Sequence, residues 1–126
     1  MAHFAEIDEN NVVLRVHVVN DSDTQDENGN EIESIGIKFC EDTWGGRWLQ
    51  TSYNANMRKN YAGIGYVYVE EDDVFIPAKP FDSWSYDSEI QDWNSPTPIP
   101  TFDIEENQKY LWDEEEQEWV LKTRPF

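Results

Sequence analysis

One aromatic spacing recurs three times along this chain. Aromatic residues stand at offsets of zero, two and nine in the sets Tyr66, Tyr68, Phe75, then Trp84, Tyr86, Trp93, and then Tyr110, Trp112, Trp119. An offset of two places the first pair on one face of a strand, because side chains alternate along a strand. The polar, mostly acidic run before the third member favours a turn through solvent. Each unit therefore predicts a β-hairpin with aromatic side chains paired across its two strands.

The predicted fold is mainly β, a small single domain of antiparallel strands whose aromatic-clasped hairpins are joined by proline-rich linkers. A chain of 126 residues suffices for one modest core. We place a β-rich core domain at residues 1–76 and a proline-spaced hairpin extension at residues 77–126. Isolated hairpins are marginal in water, so the hairpins of the extension are expected to act as separate beads that need a partner or a second copy.

Two further strands are predicted near the start of the chain, at residues 4–7 and 12–19. The second has a face without polar side chains, which is expected to be buried and consists of Val12, Leu14, Val16 and Val18. The same spacing of two and nine recurs without aromatics at Ala5, Ile7 and Leu14, which suggests a fourth hairpin. Residues 31–40 fit either a strand or a helical turn before a strand, and no amphipathic helix of ten residues or more is predicted.

The charge and composition exclude several classes of protein. A net charge of −18 suggests disorder, but the aromatic share of 14% argues for a folded chain. The acidic excess disfavours binding to naked nucleic acid or to an anionic membrane. The opening MAHFAEIDEN predicts neither a signal peptide nor a transit sequence. Cys40 is the single cysteine, so no internal disulfide forms.

No catalytic or metal-binding motif is recognised, so neither enzymatic activity nor a cofactor is expected. The acidic loop of residues 21–31 spaces oxygen atoms like a calcium loop through Asp21, Asp23, Asp26, Asn28 and Glu31. It lacks the central glycine and the final glutamate of an EF-hand at the required positions, which favours a solvated turn over a calcium site. His3, His17 and Cys40 match no known metal spacing.

A stretch without carboxylates predicts the binding site. Residues 44–69 contain no Asp or Glu, although the chain has 27 such residues. Aromatic, arginine and amide side chains, which protein interfaces favour, occur together there. The principal contact surface is predicted to consist of Trp48, Tyr53, Asn54, Arg58 and Tyr61. A protein partner is preferred and a glycan is the less favoured ligand. The alternative is that the aromatics form the core and the cations merely neutralise nearby acids. Arg58 is expected to serve docking without a role in the fold.

The segment TSYNANMRKNYAGIGYVYVEEDDVFIPAKPF at residues 51–81 resembles a small structural protein that recurs in tailed phages of marine cyanobacteria. The shared features extend to about residue 100 and comprise residues 2–16, Phe39-Cys40, Gly45-Gly46 with Trp48, residues 51–54 and 58–66, residues 77–80, Ser83-Trp84 and Trp93. The unit that begins at Tyr110 resembles hairpins of phage tail and fibre-associated proteins. The resemblance implies a virion component.

The expected function is therefore that of a non-enzymatic virion structural protein, an accessory component of the tail, neck, fibre or capsid surface. Its expected partners are other virion proteins or copies of itself, and it would be made in the host cytoplasm and located in the virion. The alternative is an acidic host-takeover protein that mimics nucleic acid and inhibits a host DNA-binding enzyme. The acids cluster at predicted hairpin tips, residues 70–73 and 113–116, rather than along one face, which favours the virion role.

Overall fold

The structure is a computed structural model that describes residues 1–101 and 103–125. Its contacts divide the chain into two compact units, Met1–Ala78 and Lys79–Phe126. The predicted class is confirmed, since the chain is mainly β and its strands pair in antiparallel sheets of two or three strands. In the part of the chain that is described, no helix has the length and apolar character needed to cross a membrane.

The first unit is built on a three-stranded antiparallel sheet in the order β2-β1-β3, with β1 at Ala2–Ile7, β2 at Val13–Val19 and β3 at Arg47–Thr51. The central strand is buried on both faces. Alternate residues of β1 enter two separate cores, one containing Ala2 and Phe4 and the other Ala5 and Ile7. A short 3-10 helix, Asp21–Asp23, follows β2.

A helix of 12 residues, α1 at Glu33–Trp44, covers one face of this sheet. The prediction that no helix of ten residues or more forms is therefore wrong. Gly36 and Cys40 are buried at a spacing of four residues, on the side of α1 that meets Phe4 and Val19 of the sheet. Glycine and β-branched residues give this segment a low helix propensity, so packing against the sheet supplies the stability that propensity does not.

A bulge in β2 overturns the predicted burial of that strand. The register shifts between Glu6, which lies opposite Arg15, and Ile7, which lies opposite Val13. Leu14 is the extra residue, so the alternation of faces changes at this point. Val13 and Val19 are buried, whereas Leu14 and Val18 of the predicted core face are 48% and 53% exposed and Val16 is only partly buried. β1 and β2 do form a hairpin, but Leu14 is not the partner of Ile7.

The three aromatic units form hairpins as predicted, with strands β4 (Val67–Val69) and β5 (Val74–Ile76), β6 (Ser85–Asp87) and β7 (Asp92–Asn94), and β8 (Gln108–Asp113) and β9 (Glu118–Thr123). In each hairpin the second and third aromatic residues lie directly opposite each other, as Tyr68 and Phe75, Tyr86 and Trp93, and Trp112 and Trp119. Their ring centroids are 5.4, 6.3 and 5.2 Å apart. The aromatic clasp is confirmed in all three.

The hairpins also share one turn geometry. The residue two positions before the third aromatic has a left-handed backbone in each case, with φ of 53° at Asp73, 51° at Gln91 and 53° at Gln117. The three hairpins with the same aromatic spacing therefore share both a turn conformation and a cross-strand aromatic pair.

In the second unit the hairpins share an aromatic cluster, so the expectation of separate beads is wrong. The ring of Trp84 lies 5.8 Å from that of Trp112 and 5.9 Å from that of Trp119. Thr97, in the proline-containing segment, accepts a hydrogen bond from the Trp119 indole nitrogen at 2.8 Å and donates one to the Gln117 carbonyl at 3.0 Å. The segment thus packs on the third hairpin instead of acting as a free spacer.

The carboxylate of Glu114 makes hydrogen bonds within the same cluster. Glu114, at the turn of the third hairpin, accepts hydrogen bonds from both the backbone and the hydroxyl of Ser83 and from the indole nitrogen of Trp112. These bonds, Ser83 first, lower the pKa of Glu114. An acidic turn residue therefore contributes to packing within this unit.

Replacing Gly36 by alanine is expected to destabilise the first unit, although alanine stabilises an ordinary helix. A Cβ atom at Gly36 would overlap the buried ring of Phe4. Overpacking of this kind costs about 1 to 3 kcal/mol, against a gain of about 1 kcal/mol in helix propensity. Urea unfolding of Gly36→Ala measures the net effect, with Ser34→Ala on the exposed side of α1 as the control. A Gly36→Ala protein more stable than wild type would contradict this packing.

Candidate functional site

The structure does not bring the five predicted site residues together on one surface. Trp48 lies on β3 beneath α1, where it is buried with Phe4 and Cys40. Its indole nitrogen donates to the Gly45 carbonyl at 2.6 Å. A buried side chain offers nothing to a partner, so the placement of Trp48 in the contact surface is wrong. For this residue the alternative, that the aromatics form the core, is correct.

Arg58 points inward and is surrounded by acceptors. Its guanidinium donates to both carboxylate oxygens of Glu33, at 2.8 Å from Nη1 and 3.2 Å from Nη2. Nη1 also donates to the Gln50 carbonyl at 2.8 Å, and Nε donates to the Asp73 carboxylate at 2.8 Å. The side chain is 13% exposed. The expectation that Arg58 serves docking without a role in the fold is therefore wrong, because its charge is used within the first unit.

The pKa values around Arg58 follow from this geometry. Burial alone would lower the pKa of Arg58, but the hydrogen bonds and charges of Glu33 and Asp73 outweigh burial and raise it. The hydroxyl of Tyr68 donates to Asp73 at 2.6 Å, and this bond together with the bond from Arg58 lowers the pKa of Asp73. Burial, and then the bond to Asp73, raises the pKa of Tyr68. Arg58 and Asp73 are therefore held in their charged forms.

The remaining predicted residues lie at the end of the sheet, beside a residue that the sequence did not assign to the site. The ring of His3 is 6.0 Å from that of Tyr53 and 5.7 Å from that of Tyr61, and the two tyrosine rings are 5.5 Å apart. Tyr53 is 71% exposed, Asn54 is exposed, and Tyr61 is half-buried. We call His3, Tyr53, Asn54 and Tyr61 the Tyr53 surface. His3 joins it because β1 pairs with β3, a pairing with no local signal in the sequence.

An open cavity of about 380 Å³ adjoins the Tyr53 surface. Most of its polar lining consists of uncharged amide and hydroxyl groups, among them Gln50, Ser52, Asn54 and Asn56, with Glu31 as an acidic member. Such a lining can donate and accept hydrogen bonds beside an aromatic face. The arrangement suits recognition of polar groups on a partner.

The acidic loop considered for calcium uses its central carboxylate internally. Asp26 accepts hydrogen bonds at 2.9 Å from the backbone amides of Asn28 and Asn30, and the bond from Asn30 is the main cause of its lowered pKa. Asp21 pairs with the terminal amine of Met1 at 2.7 Å. Among residues 1–101 and 103–125, no group of three or more His, Cys, Asp or Glu side chains is placed to hold a metal ion.

Comparison with known proteins finds no match, whether to a protein-family model, to a curated protein or to a solved structure.

Replacing Arg58 by alanine is expected to destabilise the first unit by about 2 to 4 kcal/mol, because it removes the cation paired with the half-buried Glu33 carboxylate and leaves the Gln50 carbonyl without its donor. Thermal or urea unfolding measures the loss. Lys38→Ala is the control, since Lys38 forms an exposed ion pair with Asp42 on α1 and such pairs contribute about 0.5 kcal/mol or less. Equal effects of the two substitutions would show that Arg58 is not a structural cation.

Acid is expected to remove the stabilisation that Asp73 provides. Its pKa is lowered by folding, so this stabilisation is present above the unfolded value of about 3.9 and is lost as the pH falls through the folded-state pKa. The wild type should be more stable than Asp73→Asn at neutral pH, and the difference should shrink as the pH falls below about 3.9. Denaturant unfolding of both proteins at a series of pH values measures it.

The comparison of two proteins cancels the change in net charge that acid causes elsewhere in the chain. Asparagine tolerates the left-handed backbone at this position, so the substitution adds little strain. A stability difference that does not change with pH would show that the ionised form of Asp73 contributes nothing.

Proposed function

We propose that this protein is a non-enzymatic structural protein of a tailed-phage virion, an accessory component of the tail, neck, fibre or capsid surface that acts through protein–protein assembly. The resemblance of residues 51–81, and of the shared features up to about residue 100, supports the virion assignment. The repeated aromatic hairpins, two of which have acidic turns at residues 70–73 and 114–117, are consistent with a structural protein built by repeating one small β-hairpin.

The observation that carries the assembly role is the exposure of Tyr53 on its aromatic support. Its ring is exposed to solvent and contacts the rings of His3 and Tyr61. Tyrosine supplies large contact area with little loss of side-chain freedom and is enriched at interface hot spots. Tyr53, Asn54 and Tyr61 also lie in the stretch without carboxylates, so a partner approaches there with less like-charge repulsion than elsewhere on a chain of charge −18.

A protein partner fits this surface better than a glycan does. The cavity beside Tyr53 is open, and residues 1–3 line it together with several residues that carry amide side chains. This open, polar lining resembles the rim of a protein interface more than a closed sugar pocket. The incorporation experiment below distinguishes a protein partner from a glycan.

The virion assignment is tested by mass spectrometry of purified particles, in which the protein should be present at a stoichiometry comparable to other minor structural proteins. Tyr53→Ser should lower its incorporation about tenfold or more, the effect of losing a hot-spot residue. Ile64→Ser is the matched control, because Ile64 is 79% exposed in the same unit but lies outside the Tyr53 surface.

Abundance in infected cells without presence in particles would overturn the virion assignment. Capture of a host polymerase or nuclease by the tagged protein would then support the alternative, an acidic mimic of nucleic acid. Incorporation that needs a particle glycan, and is lost when that glycan is removed, would replace the protein partner with a sugar.

A further inference from the structure

The two edges of the three-stranded sheet are chemically different. At the β3 edge, the backbone N–H of Gln50 donates to the Glu33 carboxylate at 3.0 Å and its carbonyl accepts from Arg58 at 2.8 Å. Two side chains thus occupy the positions that a neighbouring strand would use. Another strand could pair at Gln50 only by displacing these two side chains.

The opposite edge, along β2, is open over most of its length. Among the described residues, backbone hydrogen bonds cover its start, where Val13 exchanges them with Tyr66 and Gly65. In the described part of the chain, no strand other than β1 pairs with β2 beyond that point.

The pairing pattern shows which backbone groups this open edge presents. The N–H and C=O of Gln50 point away from β1, so Gln50 and its partner Phe4 do not hydrogen-bond each other. The N–H and C=O of Phe4 therefore point to the other side, toward β2, where they bond His17. Backbone groups alternate in direction along a strand. Those of Val16 and Val18 therefore point outward, away from the sheet.

The side chains along this edge are apolar and exposed. Leu14 and Val18 are each about half exposed, on a strand rich in β-branched residues. Residues 12–19 contain no Asp or Glu, although acidic residues flank them on both sides. An open edge with apolar side chains and no carboxylate of its own is a site for pairing with another strand.

We propose that β2 pairs with β2 of a second copy of this chain, antiparallel and centred on Val16, to join the two sheets into one of six strands. In this register Val16 lies opposite Val16 of the second copy, and Leu14 lies opposite its Val18. The outward backbone groups of Val16 and Val18 then face the second copy, the two Val16 residues form a hydrogen-bonded pair, and apolar side chains are matched on the same face. The strand is complementary to itself, which is the requirement of a two-fold interface.

The sealed β3 edge makes this assembly finite. A sheet with two open edges would continue to add copies, whereas pairing at β2 leaves as outer edges the two β3 strands, where Glu33 and Arg58 obstruct pairing at Gln50. The product is a dimer rather than a fibre. The β2 edge adjoins the Tyr53 surface, since Val18 lies opposite His3, but pairing through β2 does not depend on the virion assignment.

Charge gives the dimer a diagnostic salt dependence. Two chains of charge −18 repel one another at long range, while the contact strip itself contains no carboxylate. Salt screens the long-range repulsion and leaves the apolar contact and the backbone hydrogen bonds largely unaffected. The dimer is therefore stronger at higher ionic strength, unlike an association that depends on ion pairs.

Sedimentation equilibrium of the full chain tests the proposal. The expected result is a monomer–dimer equilibrium that shifts toward dimer between about 0.05 M and about 0.5 M NaCl, over which the screening length falls about threefold. Val18→Lys should raise the dimer dissociation constant about tenfold or more, because it places a lysine near the two-fold axis in both copies. Ile99→Lys is the matched control, with the same change of charge at a residue of similar exposure in the second unit.

A second variant and a second measurement guard against misfolding. Val16→Pro removes an outward N–H without removing a hydrogen bond of the chain's own sheet, and should also yield monomers. Hydrogen exchange should show protection of the Val16 and Val18 amides that rises with protein concentration, while the His17 amide is protected at all concentrations. Circular dichroism of both variants should match that of wild type.

A monomer at every concentration and salt would overturn the proposal. So would a dimer that neither Val18→Lys nor Val16→Pro weakens, since its interface would lie elsewhere. Oligomers that grow without limit would overturn the claim that Glu33 and Arg58 seal the β3 edge.

Discussion

The first unit depends on the guanidinium of Arg58. The elements it joins are weak alone: α1 has no side-chain cap at its N-terminus and contains a glycine, and the β4–β5 hairpin has only three residue pairs. Arg58 connects Glu33 at the start of α1, the carbonyl of Gln50 on β3 and Asp73 at the hairpin turn. Because one guanidinium donates to all three acceptors, the helix, the sheet edge and the hairpin are stabilised together.

The hairpins could be predicted from the sequence because their determinants are local. The paired aromatics lie seven residues apart, as Tyr68 and Phe75 or Trp112 and Trp119 do, and the acidic run between them has to turn through solvent. Each unit therefore contains its own register and its own turn. The contact of Trp84 with the third hairpin could not be predicted in the same way, since it joins residues that are distant in sequence.

The failures of prediction share a physical cause, which is pairing between distant residues. α1 is stabilised by the sheet beneath it, so its own sequence gives a weak helical signal. The bulge at Leu14 depends on how β2 meets β1, and a shift of one residue exchanges the buried and exposed faces. The internal role of Arg58 depends on Glu33, which is 25 residues away. Of the predicted site residues, only Tyr53, Asn54 and Tyr61 lie in the Tyr53 surface, because exposure follows from tertiary packing.

The same network explains the charge pattern that first indicated a binding site. Arg58 is satisfied by carboxylates from outside the acid-free stretch, and Arg47 donates to Asn11 and to the Asp8 carbonyl. The stretch thus supplies the cations of internal contacts, and carboxylates within it would compete with Glu33 and Asp73 for Arg58. Selection for this internal pairing would leave a stretch without carboxylates even if nothing bound there. The absence of acids is consequently weaker support for an interface than the exposure of Tyr53, which no internal contact requires.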